Sequence, residues 1–429
     1  MRKTVSRRQF LQNGSIAAAG FWIGASNAFG KGKSANEKLN IAVIGTANRA
    51  AANISGVKEE NIVALCDIDD QFLSAAAAKF PEAKTYNDFR KLLEQKNIDA
   101  VVVSTPDHTH AVATAAVLKS GRHVYCEKPL AHSVYEAREI QKLAAKNKKL
   151  ATQMGTQIHA ENNYRRVVEL IQSGAIGSVH EVHVWCQKSR TAVTPTDKPP
   201  VPPNIHWDLW LGPAPARPYH SAYHPKTWRA WWDFGGGTLG DMACHYMDLP
   251  FWALKLRHPL TIEAEGPPVQ KDVVPPWIIV HYEFPSADSS QKIKVTWYDG
   301  GKKPKLVSEG KAPAWDNGVL FVGERGMLIA EYHRHQLLPE TQFKDFKAPE
   351  PFIPNSIGHH KEWIQACKTG SATTCNFDYA GTLSEAVLLG NVAYRTGKKL
   401  EWDAAALKVK NAVEAEQFLR REYSKGWSL

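Results

Sequence analysis

Between residues 39 and 154 the apolar positions fall into short, almost unbroken runs. Those at 39–45, 61–67, 99–104, 122–126 and 150–154 are apolar at nearly every position, as in strands buried on both faces of a parallel sheet. An alanine-containing helix fits between the first two, and helical spacing recurs at 89–96, 110–120 and 133–148. Strand and helix alternate, so 39–155 is expected to form an α/β domain with a doubly wound parallel sheet. From 156 the pattern changes. A helix at 161–173 leads into an alternating strand at 178–185, and 188–236 is irregular and rich in proline and tryptophan. Five tryptophans there argue against disorder, and a loop of that length inside a compact domain is usually functional. Strands at 260–265, 277–284, 292–297, 319–322 and 327–330 have one apolar face, and helices at 359–368 and 381–395 follow. Residues 156–429 therefore read as an α+β domain with an antiparallel sheet able to cover the first domain's cleft.

Composition changes this picture little. The 429 residues are 43% hydrophobic and 22% charged, an ordinary globular balance with room for two cores. The formal charge of +10 suggests nucleic acid until it is located. Arg2, Lys3, Arg7 and Arg8 precede the folded part and the rest is scattered, so nucleic-acid binding is not expected. Residues 1–30 read as an export signal: Ser6-Arg7-Arg8-Gln9-Phe10-Leu11 carries a twin-arginine pattern, a mildly apolar segment follows, and Ser26-Asn27-Ala28 resembles a cleavage site. The apolar segment is too short and too rich in Gly and Ala to span a membrane. The expected address is the periplasm, through the twin-arginine export machinery, with 31–38 a linker. Cys66, Cys126, Cys186 and Cys244 read as small buried hydrophobes; only Cys367 and Cys375 are placed to bridge.

The chemistry gathers at strand ends. Lys128, in Tyr125-Cys126-Glu127-Lys128-Pro129, follows the strand at 122–126, and the carboxyl edge of an open parallel sheet is where such sheets bind ligands. The turn Gly45-Thr46-Ala47-Asn48-Arg49-Ala50 takes the place of the glycine-rich dinucleotide fingerprint but keeps only its first glycine. Asp67 ends the second strand where a carboxylate accepts hydrogen bonds from an adenosine ribose and repels a 2′-phosphate. NAD is therefore expected rather than NADP, with Arg49 the residue able to reverse that preference. Thr105 and Pro106 end the next strand on the same edge. Asp107 or Thr109 reads as a helix cap, and His108 as either a surface residue or a group near the nicotinamide.

The second domain holds Asp241 and His245 at i and i+4 of an expected helix starting near Thr238. That spacing permits a structural ion pair, two metal ligands, or a carboxylate-oriented histidine that handles protons. In the tryptophan-rich stretch, indoles such as Trp207 and Trp231 present stacking faces for sugar C–H groups, while Asn204, His206, Arg229 and Asp233 offer hydrogen bonds to hydroxyls. Anchoring of an irregular loop is the competing use of those aromatics.

Taken in order, the first-strand turn, Thr105-Pro106, Glu127-Lys128-Pro129 and Asp241-x-x-x-His245 resemble the Gfo/Idh/MocA oxidoreductases, the family of glucose-fructose oxidoreductase and inositol dehydrogenase. The run Asn376-Phe377-Asp378-Tyr379-Ala380-Gly381 resembles its exported, twin-arginine branch. The resemblance implies a Rossmann domain joined to a domain with an open, mostly antiparallel sheet that often packs against another subunit, hence a homo-oligomer. It implies that Lys128 contacts substrate near the nicotinamide, that Glu127 lies against the cofactor, and that Pro129 is cis. It places Asp241 and His245 at the substrate. Transferring hydride from a secondary alcohol requires a proton acceptor, so His245 is expected as the base, oriented by Asp241, with Lys128 clamping the substrate oxygen.

The expected activity is NAD-dependent oxidation of a sugar, polyol or glycoside, without a metal. An exported enzyme has no free NAD pool to draw on, so the cofactor must stay bound and be recycled or be reoxidised by a second substrate. Two alternatives stand beside it: a glycoside hydrolase using transient oxidation, and a non-catalytic carbohydrate-binding protein, for which Ala47 is the support.

Overall fold

The computed structural model describes residues 37–286 and 291–429. The expected export signal at 1–30 lies outside the described residues, as does most of the linker. The first sheet contains β1 (Asn40–Ile44), β2 (Asn61–Cys66), β3 (Lys84–Tyr86), β4 (Ala100–Val103), β5 (His123–Cys126) and β6 (Thr152–Met154). All are parallel, in the order β3-β2-β1-β4-β5-β6. β1 and β4 are adjacent although other strands separate them in sequence, so the winding direction reverses there and a crevice opens at their carboxyl ends. Backbone bonds extend the register past the strands: Gly45 donates to Cys66, Ser104 to Ile44, Glu127 to Val103 and Gly155 to Cys126. These bonds bring the ends of β1, β2, β4 and β5 to one edge. β3 escaped the sequence reading because it is short and has no buried residue.

Helices α1 (Arg49–Val57), α2 (Asp107–Lys119) and α3 (Val134–Lys146) cross between the strands. α3 opens on a capping box in which Ser133 accepts from the Glu136 amide and Glu136 accepts from the Ser133 amide. The helix expected at 89–96 is a single turn at Phe89–Leu92. α2 begins three residues earlier than the apolar pattern indicated, which brings Asp107 and His108 into its first turn. Neither Asp107 nor Thr109 caps it; Pro106 occupies the cap.

The second domain carries α4 (Asn162–Gln172) and a nine-stranded sheet. Its strands are β7 (Val179–Cys186), β8 (Thr261–Glu265), β9 (Ile279–Pro285), β10 (Lys292–Tyr298), β11 (Asn317–Gly323), β12 (Gly326–Ala330), β13 (His335–Leu338), β14 (Leu400–Asp403) and β15 (Lys408–Val409). They follow the order β13-β12-β11-β7-β10-β9-β8-β14-β15. All neighbours are antiparallel except β7 and β10. The long excursion after β7 permits that parallel pairing, which a hairpin would not. α5 (Gly237–Tyr246) packs near β7 and carries Asp241, which bonds Lys128 of the first domain.

Near the carboxyl terminus, α6 (His359–Thr369) and α7 (Phe377–Thr396) pack back on α1 and α3. Trp363 of α6 is fully buried in the core that contains Tyr125 and the β1 side chains. Asn376 caps α7 through the amides of Asp378 and Tyr379, and Gly397 ends it in the left-handed conformation. All six cysteines are free, so Cys367 and Cys375 do not bridge. No helix among the described residues is long and apolar enough to cross a membrane.

A buried ion pair fastens α7 to α3. Arg138 Nε donates to Glu385 (3.0 Å), which also accepts from Trp402 Nε1 and pairs with His258. Burial pushes the Glu385 carboxyl up, but His258 and Arg138 together hold it below its ordinary value. Removing one partner of a buried pair leaves the other uncompensated, so Glu385→Ala is expected to cost about 3–5 kcal/mol in urea unfolding. Because the folded pKa is the lower one, the carboxylate's contribution is complete above the unfolded value. It fades as pH falls through the folded value, so wild type and Glu385→Ala should converge in acid.

Candidate active site

A cavity of about 390 Å³ opens at the carboxyl edge of the first sheet, within the roughly 300–1,000 Å³ range of ligand clefts. The turn 45–49, Asp67 and the segment 104–107 form one wall, with Glu127 and Lys128 beside them. Arg190, Trp210, Trp228 and Arg229 enter from the second domain, and Trp427 from the carboxyl terminus.

The turn after β1 is shaped by close approach. Gly45 has φ +85°, and a Cβ there would lie 2.7 Å from the Ser104 carbonyl oxygen, so only glycine fits. Asp67 Oδ2 accepts from both the amide and hydroxyl of Thr46 (2.8 and 2.9 Å), tying the end of β2 to the turn. Burial raises the Asp67 carboxyl above its ordinary value, and the Thr46 amide pulls it back. Asn48 starts α1 at φ 54° with no side-chain cap, leaving the helix N-terminus to a ligand. Ala47 lines the cavity where a glycine is usual, and the cavity remains open beside it. Thr105 Oγ1 is buried at the cavity without a partner. A pyrophosphate on that helix end and a ribose at Asp67 fit this arrangement.

Arg49 does not stand free. Its Nε donates to Glu127 Oε1 (2.9 Å), which also accepts from Asn53 Nδ2. The cation expected to favour a 2′-phosphate is therefore committed to the carboxylate after β5. Gly155 makes room for Glu127, since a Cβ there would meet its carboxyl at 2.7 Å.

Lys128 sits at the cavity, 9% exposed, before a cis Lys128–Pro129 bond. Its Nζ donates to the backbone oxygen and to Oδ1 (2.8 Å) of Asp241. Arg229 Nε also donates to Oδ1 (3.0 Å), and Arg190 Nη2 to Oδ2 (2.7 Å). Burial alone would raise the Asp241 carboxyl, but Lys128, Arg229 and Arg190 hold it well below the usual carboxylate range.

That arrangement corrects the expected Asp241–His245 pair. No hydrogen bond joins them among the described residues, because three cations claim the carboxylate. His245 Nδ1 is buried without a partner, and the ring does not line the cavity. Burial, reinforced by Lys128, pushes the imidazole well below its ordinary pKa, which makes it a weak base. No cluster of three metal-ligating side chains occurs among the described residues.

His108 is likewise displaced from the expected place: it is fully buried, its Nε2 meets the Trp210 carbonyl at 2.8 Å, and it does not reach the cavity. His110 lines the cavity instead. Its ring nitrogens lie 2.7 Å from the carbonyl oxygens of Pro129 and Thr105, bracing the two strand ends together. Trp207 stacks on Trp210 and donates to the Arg217 carbonyl, while Trp231 is fully buried and donates to the Ala222 carbonyl. Both are core residues of the loop, not part of the cavity lining. Asn204 and His206 are engaged by Asp69 and Asp70, and Asp233 by Arg217. The aromatic surface at the cavity comes from Trp210, Trp228 and Trp427, with the Arg229 guanidinium 4.1 Å above the Trp228 ring. Sequence reasoning missed Arg190, which lies in a stretch without periodicity, and passed over Asp107 as a cap.

A Rossmann sheet whose carboxyl edge shares a cavity with a mostly antiparallel domain defines a two-domain dinucleotide-dependent oxidoreductase fold. The chain belongs to the Gfo/Idh/MocA oxidoreductase family: residues 39–155 match its NAD-binding Rossmann fold and 166–429 its C-terminal alpha/beta domain. Among curated relatives, inositol 2-dehydrogenase of Salmonella typhimurium is 33% identical over 148 residues, covering 34% of this chain and 43% of the relative. Myo-inositol 2-dehydrogenase of Thermotoga maritima is 25% identical over 171 residues, covering 39% and 46%. The chain thus spans less than half the length of either relative. Solved structures of the same fold include GenD2 from gentamicin A biosynthesis in complex with NAD, with TM-score 0.59 and 20% identity over 88% of this chain and 100% of that one. Another is the WlbA dehydrogenase from Bordetella pertussis in complex with NADH and UDP-GlcNAcA, with TM-score 0.61 and 17% identity over 86% and 99%.

Removing the Asp241 carboxylate would strand the buried Lys128 ammonium beside two guanidinium groups. Asp241→Ala is expected to lose about 3–5 kcal/mol in denaturant unfolding, whereas His245→Ala, which removes a ring that packs on Tyr332 and whose Nδ1 has no hydrogen bond, should follow the smaller cost of a buried cavity.

Proposed function

We propose that the protein is an NAD-dependent oxidoreductase acting on a secondary alcohol of a sugar, polyol or glycoside, with the dinucleotide held tightly. The observation that carries this reading is the placement of Lys128. It stands in one cavity with the Thr46–Asp67 turn, on the carboxyl edge where β1 and β4 diverge.

When bound, the dinucleotide supplies a two-electron acceptor for the substrate C–H bond. Asp67 accepts hydrogen bonds from the ribose hydroxyls and disfavours a 2′-phosphate, and Arg49, already paired with Glu127, does little to offset that repulsion. The free end of α1 holds the pyrophosphate. Lys128 has three N–H donors, of which Asp241 takes two; the third is left for a substrate oxygen. As negative charge develops on that oxygen, the ammonium stabilises it in a site shielded from water. Trp210 and Trp228 offer apolar faces to ring C–H groups, and Arg190 and Arg229 offer unused donors to hydroxyls. The polyol and sugar-nucleotide relatives support this substrate class. Export by the twin-arginine route, read from Ser6–Leu11, and assembly through the open sheet into a homo-oligomer complete the proposal.

Purified protein denatured after gel filtration is expected to release NAD. With a panel of polyols, aldoses and aryl glycosides, the reduced nicotinamide should appear with a ketone product; aglycone release without it would favour the hydrolase. Lys128→Met should lower kcat about 10²–10³-fold with dinucleotide affinity little changed. Protein that neither carries nor binds a dinucleotide sinks this reading.

A further inference from the structure

The oxidation proposed above needs a group to take the hydroxyl proton, and neither His245 nor Asp241 is placed to do so. Three cations hold the Asp241 carboxyl well below the usual carboxylate range, so it is a poor proton acceptor, and His245 is not among the cavity-lining residues. Of the other acids at the cavity, Glu127 is taken by Arg49 and Asn53 and Asp67 by Thr46, which leaves Asp107 near Lys128. Asp107 is the first residue of α2, 3% exposed, and a cavity-lining residue. Its Oδ2 is buried with no hydrogen-bond partner among the described residues. A buried carboxyl oxygen without a partner is costly to keep unless something outside the protein completes it. Here the cavity offers the place for a substrate hydroxyl.

Resting on the oxidoreductase reading, we propose that Asp107 is the proton acceptor of the reaction, working opposite the Lys128 clamp on the same substrate oxygen. The O–H bond breaks with its proton passing to an Asp107 oxygen, and the C–H bond breaks with its electron pair passing to the dinucleotide. The alcohol becomes a ketone and the dinucleotide is reduced; in the reverse direction protonated Asp107 returns the proton.

The surroundings of Asp107 suit that task. Burial raises its pKa to about 7, against the charges of Arg229 and Lys128 and with those of Asp241 and Glu127. Burial pushes the Cys126 and Cys244 thiols on the neighbouring strand and helix upward, Cys244 to about 12, so neither adds charge near neutrality. His110, one turn along α2, is lowered by burial, and its neutral ring has one N–H to donate to one of the two carbonyls it touches. A carboxyl poised near neutrality both accepts and returns a proton at low cost, as a general base requires. As the deprotonated form is the active one, turnover in the oxidative direction should rise with pH through about 7.

The test compares full-length wild type, Asp107→Asn and Asp299→Asn. The third is needed because Asp299, which does not line the cavity and accepts from Trp297 Nε1, is also raised to about 7. Infrared difference spectra across neutral pH are expected to show a protonated-carboxyl band that titrates in wild type and Asp299→Asn and is lost from Asp107→Asn. Should Asp107→Asn not fold, Asp299→Asn alone still reports on Asp107. On an alcohol that wild type oxidises, Asp107→Asn should lose about 10²–10⁴-fold in kcat and the rise with pH, while NAD affinity by tryptophan fluorescence is kept. Full turnover in Asp107→Asn, or no titrating band in Asp299→Asn, overturns the proposal. Absence of NAD binding in wild type instead marks failure of the oxidoreductase reading, and the infrared result stands apart from it.

Discussion

The Asp241 carboxylate is the point on which the site depends. It is buried, and a lone buried carboxylate would be expelled or neutralised; here Lys128 comes to it from the first domain and Arg190 and Arg229 from the second. One charge therefore fixes the position of Lys128 relative to the irregular segment that lines the opposite side of the cavity. It also sets direction. By taking two of the three ammonium protons through its backbone and side-chain oxygens, Asp241 leaves Lys128 one donor to spend on a ligand.

The same logic extends outward. Glu127, next to Lys128, is buried and would repel a dinucleotide pyrophosphate if unpaired, but Arg49 and Asn53 satisfy it. Asp67 is buried and held by Thr46, so the turn after β1 keeps its shape without the second and third glycines of the usual fingerprint. Close backbone approach at Gly45 explains why the first glycine alone is retained. His110 braces Thr105 to Pro129, so the ends of β4 and β5 cannot separate without breaking contacts to both ring nitrogens. The cavity is thus built from strand ends that are locked pairwise by charge or by hydrogen bonds.

What the sequence made legible follows from what periodicity encodes. β1, β2, β4 and β5 are buried on both faces, so their apolar runs were unmistakable, and Gly45, Asp67 and Lys128 were found because they stand at the ends of those runs. β3 is only half-exposed backbone at a sheet edge and left no apolar signature. Asp241 was found, but not its partners: i,i+4 spacing brings His245 near it, whereas its three cations come from 12, 51 and 113 positions away in sequence. Trp207 and Trp231 illustrate the same limit, since indoles in an aperiodic loop carry no mark of which face the core and which face the cavity. Asp107 was read as a helix cap because the first turn of a helix favours a carboxylate whether or not it has other work.

Two carboxyl groups, Asp107 and Asp241, feel the same Lys128 and Arg229, yet their environments drive them apart. Asp241 bonds directly to its cations and stays ionised; Asp107 feels those charges without a hydrogen bond to either, so burial prevails and lifts it to about 7. Where two neighbouring acids are separated in this way, one serves as a fixed charge and the other is free to exchange a proton. The separation also explains the choice of residue. A histidine buried where His245 lies is pushed toward its neutral form by burial first and by Lys128 next. Near Lys128 and Arg229, a carboxyl loses part of its burial penalty to the positive charge, whereas an imidazole suffers both. Burial, which raises a carboxyl and lowers an imidazole, is therefore what favours Asp107 over His245 as the proton acceptor of the proposed reaction, while the cationic clamp lowers both.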